Sequence, residues 1–520
     1  MREGGNFRFY RIQNQGFTAL YEIVYNFAVM NHLLSTPTHP ASTICAIATP
    51  AGGAIGIVRI SGPISISAVA RLFQPAGKVP WEEKPGSSLT FGRIVHPETK
   101  EIIDEVLVSL FRAPHSYTGE DCVEISCHGS QYILSEVLRL LLAEGCTMAQ
   151  PGEYTQRAFL NGKLDLSQAE AVADLIASST AANHRMAMQQ MRGGFSNELR
   201  GLRDKLLHIT SLLELELDFS DHEELEFASR PELLDLAEQI HQRIARLCQS
   251  FKLGNALKQG LPVAIVGETN AGKSTLLNAL VGEQRALVSN VHGTTRDTVE
   301  ETVVVGDSLI RFIDTAGIRQ TSDVVEQMGI ERTFEKMDSA DLILWILDAT
   351  QAQEQYQTLQ GKLLPHWDKV LLVINKTDLL SVEELATLQA YFDNVLATSV
   401  SSSQSGASVQ LASPHVLYIS AHAESDVDLL RQCLSNQLLQ LRSALASDNE
   451  LIVSNARHYE ALSQALLAID RVIEGLQNQL SGDFISQDLR ECIHYLSDIV
   501  GEVTTDAVLH NIFKHFCIGK

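Results

Sequence analysis

The stretch "PVAIVGETNAGKSTLLNALVG" (262–282) leaves the chain little conformational choice. An apolar run of strand length meets Gly-x4-Gly-Lys-Ser at Gly267–Ser274, and an apolar pattern of helical period follows at once. Glycines let the backbone wrap so tightly that several N–H groups face one anion, and a helix starting there adds its positive end. The segment therefore dictates a strand–loop–helix unit of an α/β sheet, with a phosphate-binding loop at the carboxyl end of the strand. Lys273 is placed to reach β and γ phosphates and Ser274 to ligate Mg²⁺, with Asn270, Ala271, Gly272 and Thr275 completing the cradle.

Four shorter segments follow in the order such a sheet requires. "GTTRD" (293–297) offers Thr295 as a second hydroxyl for Mg²⁺. "DTAG" (314–317) ends a strand, with Asp314 as the acid near the metal, Thr315 and Ala316 in the turn, and Gly317 facing the γ-phosphate. "NKTD" (375–378) ends the apolar strand "VLLVI". Asn375 and Lys376 belong to this loop, and Asp378 can accept the two N–H donors of guanine, which adenine does not present. Ser420 and Ala421 end a further strand, where a backbone amide can meet the guanine carbonyl. Together these motifs specify a GTP site. One position breaks the Ras-like pattern. After Gly317 comes Ile318, where a glutamine would orient the attacking water, and isoleucine has no hydrogen-bonding side chain.

At 520 residues the chain calls for roughly three domains. From Thr43 to Gly145 strand-like runs ("TICAIA", "IGIVRIS", "LTFGRIV", "IIDEVLVSLF", "VEISCH") alternate with helical ones at 64–73 and 132–145. The pattern turns almost wholly helical from Leu164 to Leu257, with Ser167 and Glu170 at capping-box spacing. It returns to helix at 456–480 and 486–501. An α/β domain thus interrupts a helical one. The expected layout is an extension over 1–41, an N-terminal α/β domain over 42–160, a helical domain from 161–258 and 447–520, and a GTPase domain over 259–446. The Ser- and Gly-rich stretch 398–414 reads as a surface loop.

The formal net charge of −23 disfavours a stand-alone RNA binder, so any work on RNA calls for a basic partner or a local pocket. Eight cysteines without a Cys-x-x-Cys pair point away from zinc and disulfides and toward a reducing cytoplasm. No apolar run reaches the length of a membrane span. Glu22 and Asn26 interrupt the weakly apolar N-terminal stretch, which argues against a signal peptide, and a start at Met30 is the simpler expectation.

The flanking segments say which GTPase. "ATPAGGAIGIVRISG", "PHSYTGEDCVEISCHG", "QPGEYTQRAFLNGKLDLSQAEAVADLI", the nucleotide motifs and the terminal "FCIGK" resemble the MnmE (TrmE) family over about residues 42–520. The resemblance implies a GTP-hydrolysing enzyme that modifies the wobble uridine, U34, of certain tRNAs. It implies an N-terminal domain that binds 5-formyltetrahydrofolate and mediates homodimerisation, and a helical domain interrupted by a Ras-like P-loop GTPase domain. It implies a flavin-containing partner, MnmG (GidA), forming a heterotetramer that places an aminomethyl or carboxymethylaminomethyl group on C5. By position, Arg59, Glu124, Lys163 and Lys520 would bind the folate. Cys517 would take part in one-carbon chemistry, or else serve as a small buried hydrophobe. Glu326 would orient water in place of the missing glutamine. The first switch, Ser289, Asn290, Val291, His292, Gly293, Thr294 and Thr295, would close over the nucleotide. Potassium would sit on Asn270 and on the main chain of Ser289, Val291 and Thr294. "SAHAESD" departs from the family pattern, since His422 replaces a longer base and no glycine follows. Two rival readings are a ribosome-assembly GTPase, which would usually add a basic RNA-binding domain, and a folate-dependent aminomethyl transferase with a regulatory G domain.

Overall fold

The computed structural model describes residues 42–77, 80–218, 229–282, 301–305, 308–313, 337–338, 340–400, 416–445, 451–503, 506–514, 516 and 519. The chain divides into two compact units, one within Met1–Asp165 and Thr504–Lys520 and the other spanning Leu166–Val503.

The first unit is built on strands whose side chains alternate between faces. They are β1 (Ile44–Ile47), β2 (Ile55–Ser61), β3 (Phe73–Pro75), β4 (Ser88–Val95), β5 (Ile102–Phe111), β6 (Cys122–His128) and β7 (Thr147–Met148), in the order β3-β4-β5-β6-β2-β1-β7. All pairings are antiparallel except β1 with β7. Helices α1 (Ser65–Ala70) and α2 (Gln131–Ala143) contribute Val69, Leu134, Val137 and Leu141 to a core with Val58, Ile60, Val108 and Ile125. Period-two alternation puts Arg59, between Val58 and Ile60, on the opposite face, beside its register partner Glu124. The helix expected over 64–73 stops early. Phe73 leaves it to pair with Ile94 and to meet the Trp81 ring edge-on at 5.7 Å. Helix α3 (Glu153–Leu160) follows β7.

The second unit begins with α4 (Leu166–Ala177), α5 (Ala181–Met191), α6 (Gly194–Asp218) and α7 (Arg230–Gln259). A parallel sheet interrupts them, made of β8 (Leu261–Val266), β9 (Glu301–Val305), β10 (Ser308–Ile313), β11 (Leu342–Asp348), β12 (Val370–Asn375) and β13 (Val416–Tyr418). Its order is β13-β12-β11-β8-β10-β9, with only β9 antiparallel. Strands β8, β11 and β12 are buried at every residue, which explains their unbroken apolar sequences. Helices α8 (Lys273–Val281) and α11 (Glu424–Leu445) pack on one face, while α9 (Ala352–Leu363) and α10 (Val382–Val400) pack on the other around Trp345, Tyr356 and Phe392. The chain then returns to the helical part as α12 (Ala456–Gln477) and α13 (Gly482–Val500), whose Leu462, Ile469, Leu489 and Leu496 share a core with Leu206, Ile209, Ile240 and Ile244.

Departure and return meet at one crossing. A Cβ on Gly254 of α7 would lie 2.0 Å from the Val453 carbonyl oxygen, and Val453 N donates to Ser250 Oγ at 3.0 Å. Helix α14 (Asp506–Phe513), in the stretch 447–520 expected to be helical, falls within the first compact unit. Gly152 permits this packing, because a Cβ there would approach the Phe513 carbonyl oxygen to 2.7 Å.

The capping box read at Ser167 and Glu170 is not formed. Ser167 lies inside α4 and its hydroxyl accepts from Gln190 Nε2, while Glu170 is buried against α12. Its carboxylate meets Arg457 Nε at 3.0 Å and His458 Nε2 at 2.6 Å, and Arg457 also donates to the carbonyls of Asp498 and Ile499. Burial alone would raise the Glu170 pKa, but the His458 and Arg457 charges outweigh it and hold the group at about 2. This lies below the ordinary 4.5, so the stabilisation is complete above about pH 5 and lost as pH falls from there through about 2. Glu170→Gln removes the carboxylate that Arg457 and buried His458 share, leaving Arg457 only Asp498 Oδ2 at 3.5 Å, and should destabilise the unit by about 3–5 kcal/mol at neutral pH. Thermal melts across pH check this, since the gap from wild type should narrow below about pH 4.

Candidate functional site

The carboxyl ends of β8, β11 and β12 converge where the strand order reverses on either side of β8, the usual place for a ligand in such a sheet. Between β8 and α8 the backbone turns through Asn270 at φ +65° and Gly272 at φ +91°. Asparagine tolerates that region and glycine favours it. At Gly272 a Cβ would also lie 2.2 Å from Asn375 Nδ2, so the position has neither the backbone freedom nor the space for a side chain.

Asn375, at the end of β12 and 1% exposed, ties the motifs together. Its Nδ2 donates to the Ala271 carbonyl at 3.0 Å, and its Oδ1 accepts from Ala421 N at 3.0 Å. The phosphate loop, the "NKTD" loop and the "SA" loop are thereby held by one buried amide. Lys273 curls into its own loop and donates to the carbonyls of Gly267 and Glu268 at 2.6 and 2.7 Å, and burial lowers its pKa. Ser274 and Thr275 are exposed on the first turn of α8.

Two carboxylates here escaped the sequence reading. Asp348 ends β11 and takes Lys376 Nζ at 2.6 Å, which steadies Lys376 at φ +67°. Desolvation opposes ionisation of Asp348, but the bonds from Lys376 and Thr350 prevail and lower its pKa. Asp426, in the first turn of α11, accepts from Ser420 N at 2.8 Å and so shapes the "SA" loop. The terminal Asp of the run "LILWILD" was the one local hint of the first. Asp378 is exposed, and its carboxylate is engaged by no ion pair among the described residues. Ser289, Asn290, Val291, His292, Gly293, Thr294, Thr295, Asp314, Thr315, Ala316, Gly317, Ile318 and Glu326 lie outside the described residues, as do Cys517 and Lys520.

A second polar site lies in the first unit. Arg59 Nε meets Glu124 Oε1 at 2.8 Å, and its Nη1 donates to the Gly519 carbonyl at 3.1 Å. The guanidinium stands 6.0 Å from the Tyr117 ring centroid and 5.7 Å from that of Tyr154. Tyr154 donates to the Arg59 carbonyl at 2.8 Å, and burial pushes its phenol pKa up. Lys163 donates to Pro114 O at 3.0 Å, in the segment that carries Tyr117. The two tyrosines were not singled out from the sequence.

A family model described as "GTP-binding protein TrmE N-terminus" matches residues 43–163, and one described as "MnmE helical domain" matches residues 166–517. A protein of Bacteroides thetaiotaomicron named tRNA modification GTPase MnmE is 57% identical, covering 92% of this chain and 99% of that protein. The chain belongs to the MnmE (TrmE) family. The MnmE of Christiangramia forsetii, under the same name, is 47% identical over the same shares. Among solved structures, Era of Aquifex aeolicus bound to GDP and aluminium fluoride is 26% identical, covering 40% of this chain and 66% of that one at a TM-score of 0.25.

In this MnmE-family chain the Asn375 bridge makes the Gly-rich loop before α8, the "NKTD" loop and the "SA" loop one unit. Asn375→Ala breaks two buried hydrogen bonds and leaves Ala421 N and Ala271 O unsatisfied, a loss of about 2–4 kcal/mol. The expected outcome, read by titration with a fluorescent GTP analogue, is an affinity loss of at least about tenfold with a lowered melting temperature.

Proposed function

We propose that this chain, a tRNA modification GTPase by family, hydrolyses GTP while, with a flavin-containing partner of the MnmG kind, it adds an aminomethyl or carboxymethylaminomethyl group to C5 of U34. The observation that carries the reading is the phosphate loop, guanine loop and Ala421 loop held by Asn375, in a chain matched across both family domains. Nucleoside mass spectrometry of tRNA from a strain lacking the gene tests it. Loss of the modified wobble uridine, restored by the intact gene, is the expected result, and unchanged wobble uridines would overturn it.

For the nucleotide, the N–H groups of the phosphate loop and the start of α8 would receive the phosphates, with Lys273 released from the Gly267 and Glu268 carbonyls toward them. Asp378 would accept from the guanine edge, and Ala421 N would donate to its carbonyl. Ser274 and Thr295 would hold Mg²⁺, which supplies charge neutralisation at the β and γ oxygens. Asn270, with Ser289, Val291 and Thr294, would hold potassium, which supplies the positive charge that an arginine finger gives elsewhere. Glu326 is the proposed water-positioning carboxylate, which Ile318 cannot be.

The pair Arg59–Glu124 suits a folate. A carboxylate matches the donor edge of a pterin, cations match the glutamate tail, and the Tyr117 and Tyr154 rings beside Arg59 give an aromatic wall. Bound 5-formyltetrahydrofolate would supply a one-carbon unit, with Lys163 and Lys520 as further cationic contacts and Cys517 nearby. We place the chain as a homodimer through this domain and in the cytoplasm. No described helix is long and apolar enough to cross a membrane.

Turnover should be faster in potassium than in sodium, and equal rates in the two salts would remove potassium from the site. Glu326→Ala should keep GTP affinity and lose hydrolysis by about 100-fold or more, measured by phosphate release. An unchanged rate would eliminate Glu326 as the positioning group.

A further inference from the structure

An enzyme with a net charge of −23 that works on RNA needs at least one surface where phosphate is welcome. The cations of the helical part are mostly committed elsewhere. Arg203 pairs with Glu502, Lys252 with Asp341, Lys258 with Asp174, and Arg457 with Glu170. Lys205 of α6 and Arg246 of α7 are exposed and form no ion pair among the described residues.

These two side chains line the same groove, of about 250 Å³, between α6 and α7. Its α6 wall carries Glu198 and Lys205, seven residues apart, with buried Leu202 as the floor. Its α7 wall carries Gln239, Gln242, Arg243 and Arg246, which share a helix face by their three- and four-residue spacings. The carboxylate in the groove, Glu198, is already bound to Arg243 Nε at 2.5 Å. What remains unneutralised is therefore cationic. The acidic residues Glu214 and Glu216 of α6 lie 9 and 11 residues beyond Lys205, a distance of roughly 14–17 Å along a helix.

We propose that this groove binds the phosphate backbone of the tRNA substrate. The inference rests on the reading of the chain as acting on tRNA. The donor set suits that ligand. Arg246 can bridge two phosphate oxygens with its planar fork, and Lys205 supplies a compact charge. The Gln242 amide can donate to ribose hydroxyls or phosphate, while Gln239 Nε2 already donates to Asp235 Oδ2 at 2.8 Å and has one N–H left to offer. Arg243, fixed by Glu198, gives the wall a rigid centre. Nothing in the donor set reads base edges, so the groove positions the RNA and does not select its sequence.

The test uses the full chain and the double variant Lys205→Ala/Arg246→Ala, with Arg139→Ala as a surface control in the other unit. Binding of an unmodified tRNA transcript is followed by fluorescence anisotropy between about 50 and 200 mM KCl. The double variant should bind about tenfold or more weakly at low salt, and the slope of log affinity against log salt should fall by about 2. GTP hydrolysis and melting temperature should stay at wild-type values, because both side chains are exposed and neither belongs to the nucleotide site. Wild-type affinity and slope in the double variant would overturn the proposal, as would absence of tRNA binding by the unaltered chain. A variant that keeps tRNA but loses a protein partner would assign the groove to that partner and overturn it too. None of these failures touches the tRNA-modification reading, which the nucleoside spectra test separately.

Discussion

The architecture depends on a close backbone crossing. A helical part can be interrupted by a whole α/β sheet only if the chain comes back where it left. Here Gly254 on the outgoing helix touches the Val453 carbonyl on the returning extended segment, and Ser250 takes the Val453 N–H. No side chain fits between them. Behind this crossing the outgoing helix contributes Leu253, Ala256 and Leu257 to the core of the sheet, while buried Glu170 and His458, with half-buried Arg457, lock the returning helix to the first helix of the unit. The sheet and the helices are therefore not beads on a thread. They share a helix, a core and a tightly packed joint.

The candidate nucleotide site shows a similar economy. Three loops distant in sequence are positioned by one amide that uses both its donor and its acceptor. A buried amide with both ends satisfied is costly to replace, since any substitute leaves at least one backbone group stranded. Asp348 and Asp426 extend the same logic outward, one holding Lys376 and the other the Ser420 amide.

What could be read from the sequence was what the local backbone demands. A loop that must present N–H groups to phosphate needs glycines at fixed offsets, and fully buried parallel strands must be continuously apolar, so "GETNAGKS" and "VLLVIN" announce themselves. The interrupted helical domain followed from a change of period alone. The roles of Glu170, Asp348, Asp426, Tyr117 and Tyr154 did not, because each is defined by a partner across the fold. Glu170 misled outright. Its distance from Ser167 matched a capping box, yet its real partners lie 287 and 288 residues away. Phe73 ended a helix for a similar reason, drawn into an edge strand by Trp81 and Ile94.

The bond from Arg59 to the Gly519 carbonyl joins residues 460 positions apart. A ribosome adding about 5–20 residues per second finishes the N-terminal sheet at Met148 and then takes roughly 20 to 75 seconds to make the partner of Arg59. During that interval Arg59 can have Glu124 but not its second contact. The polar site of the first unit is thus completed only after every residue of the GTPase sheet has been made, so its final geometry marks a chain translated at least through Gly519.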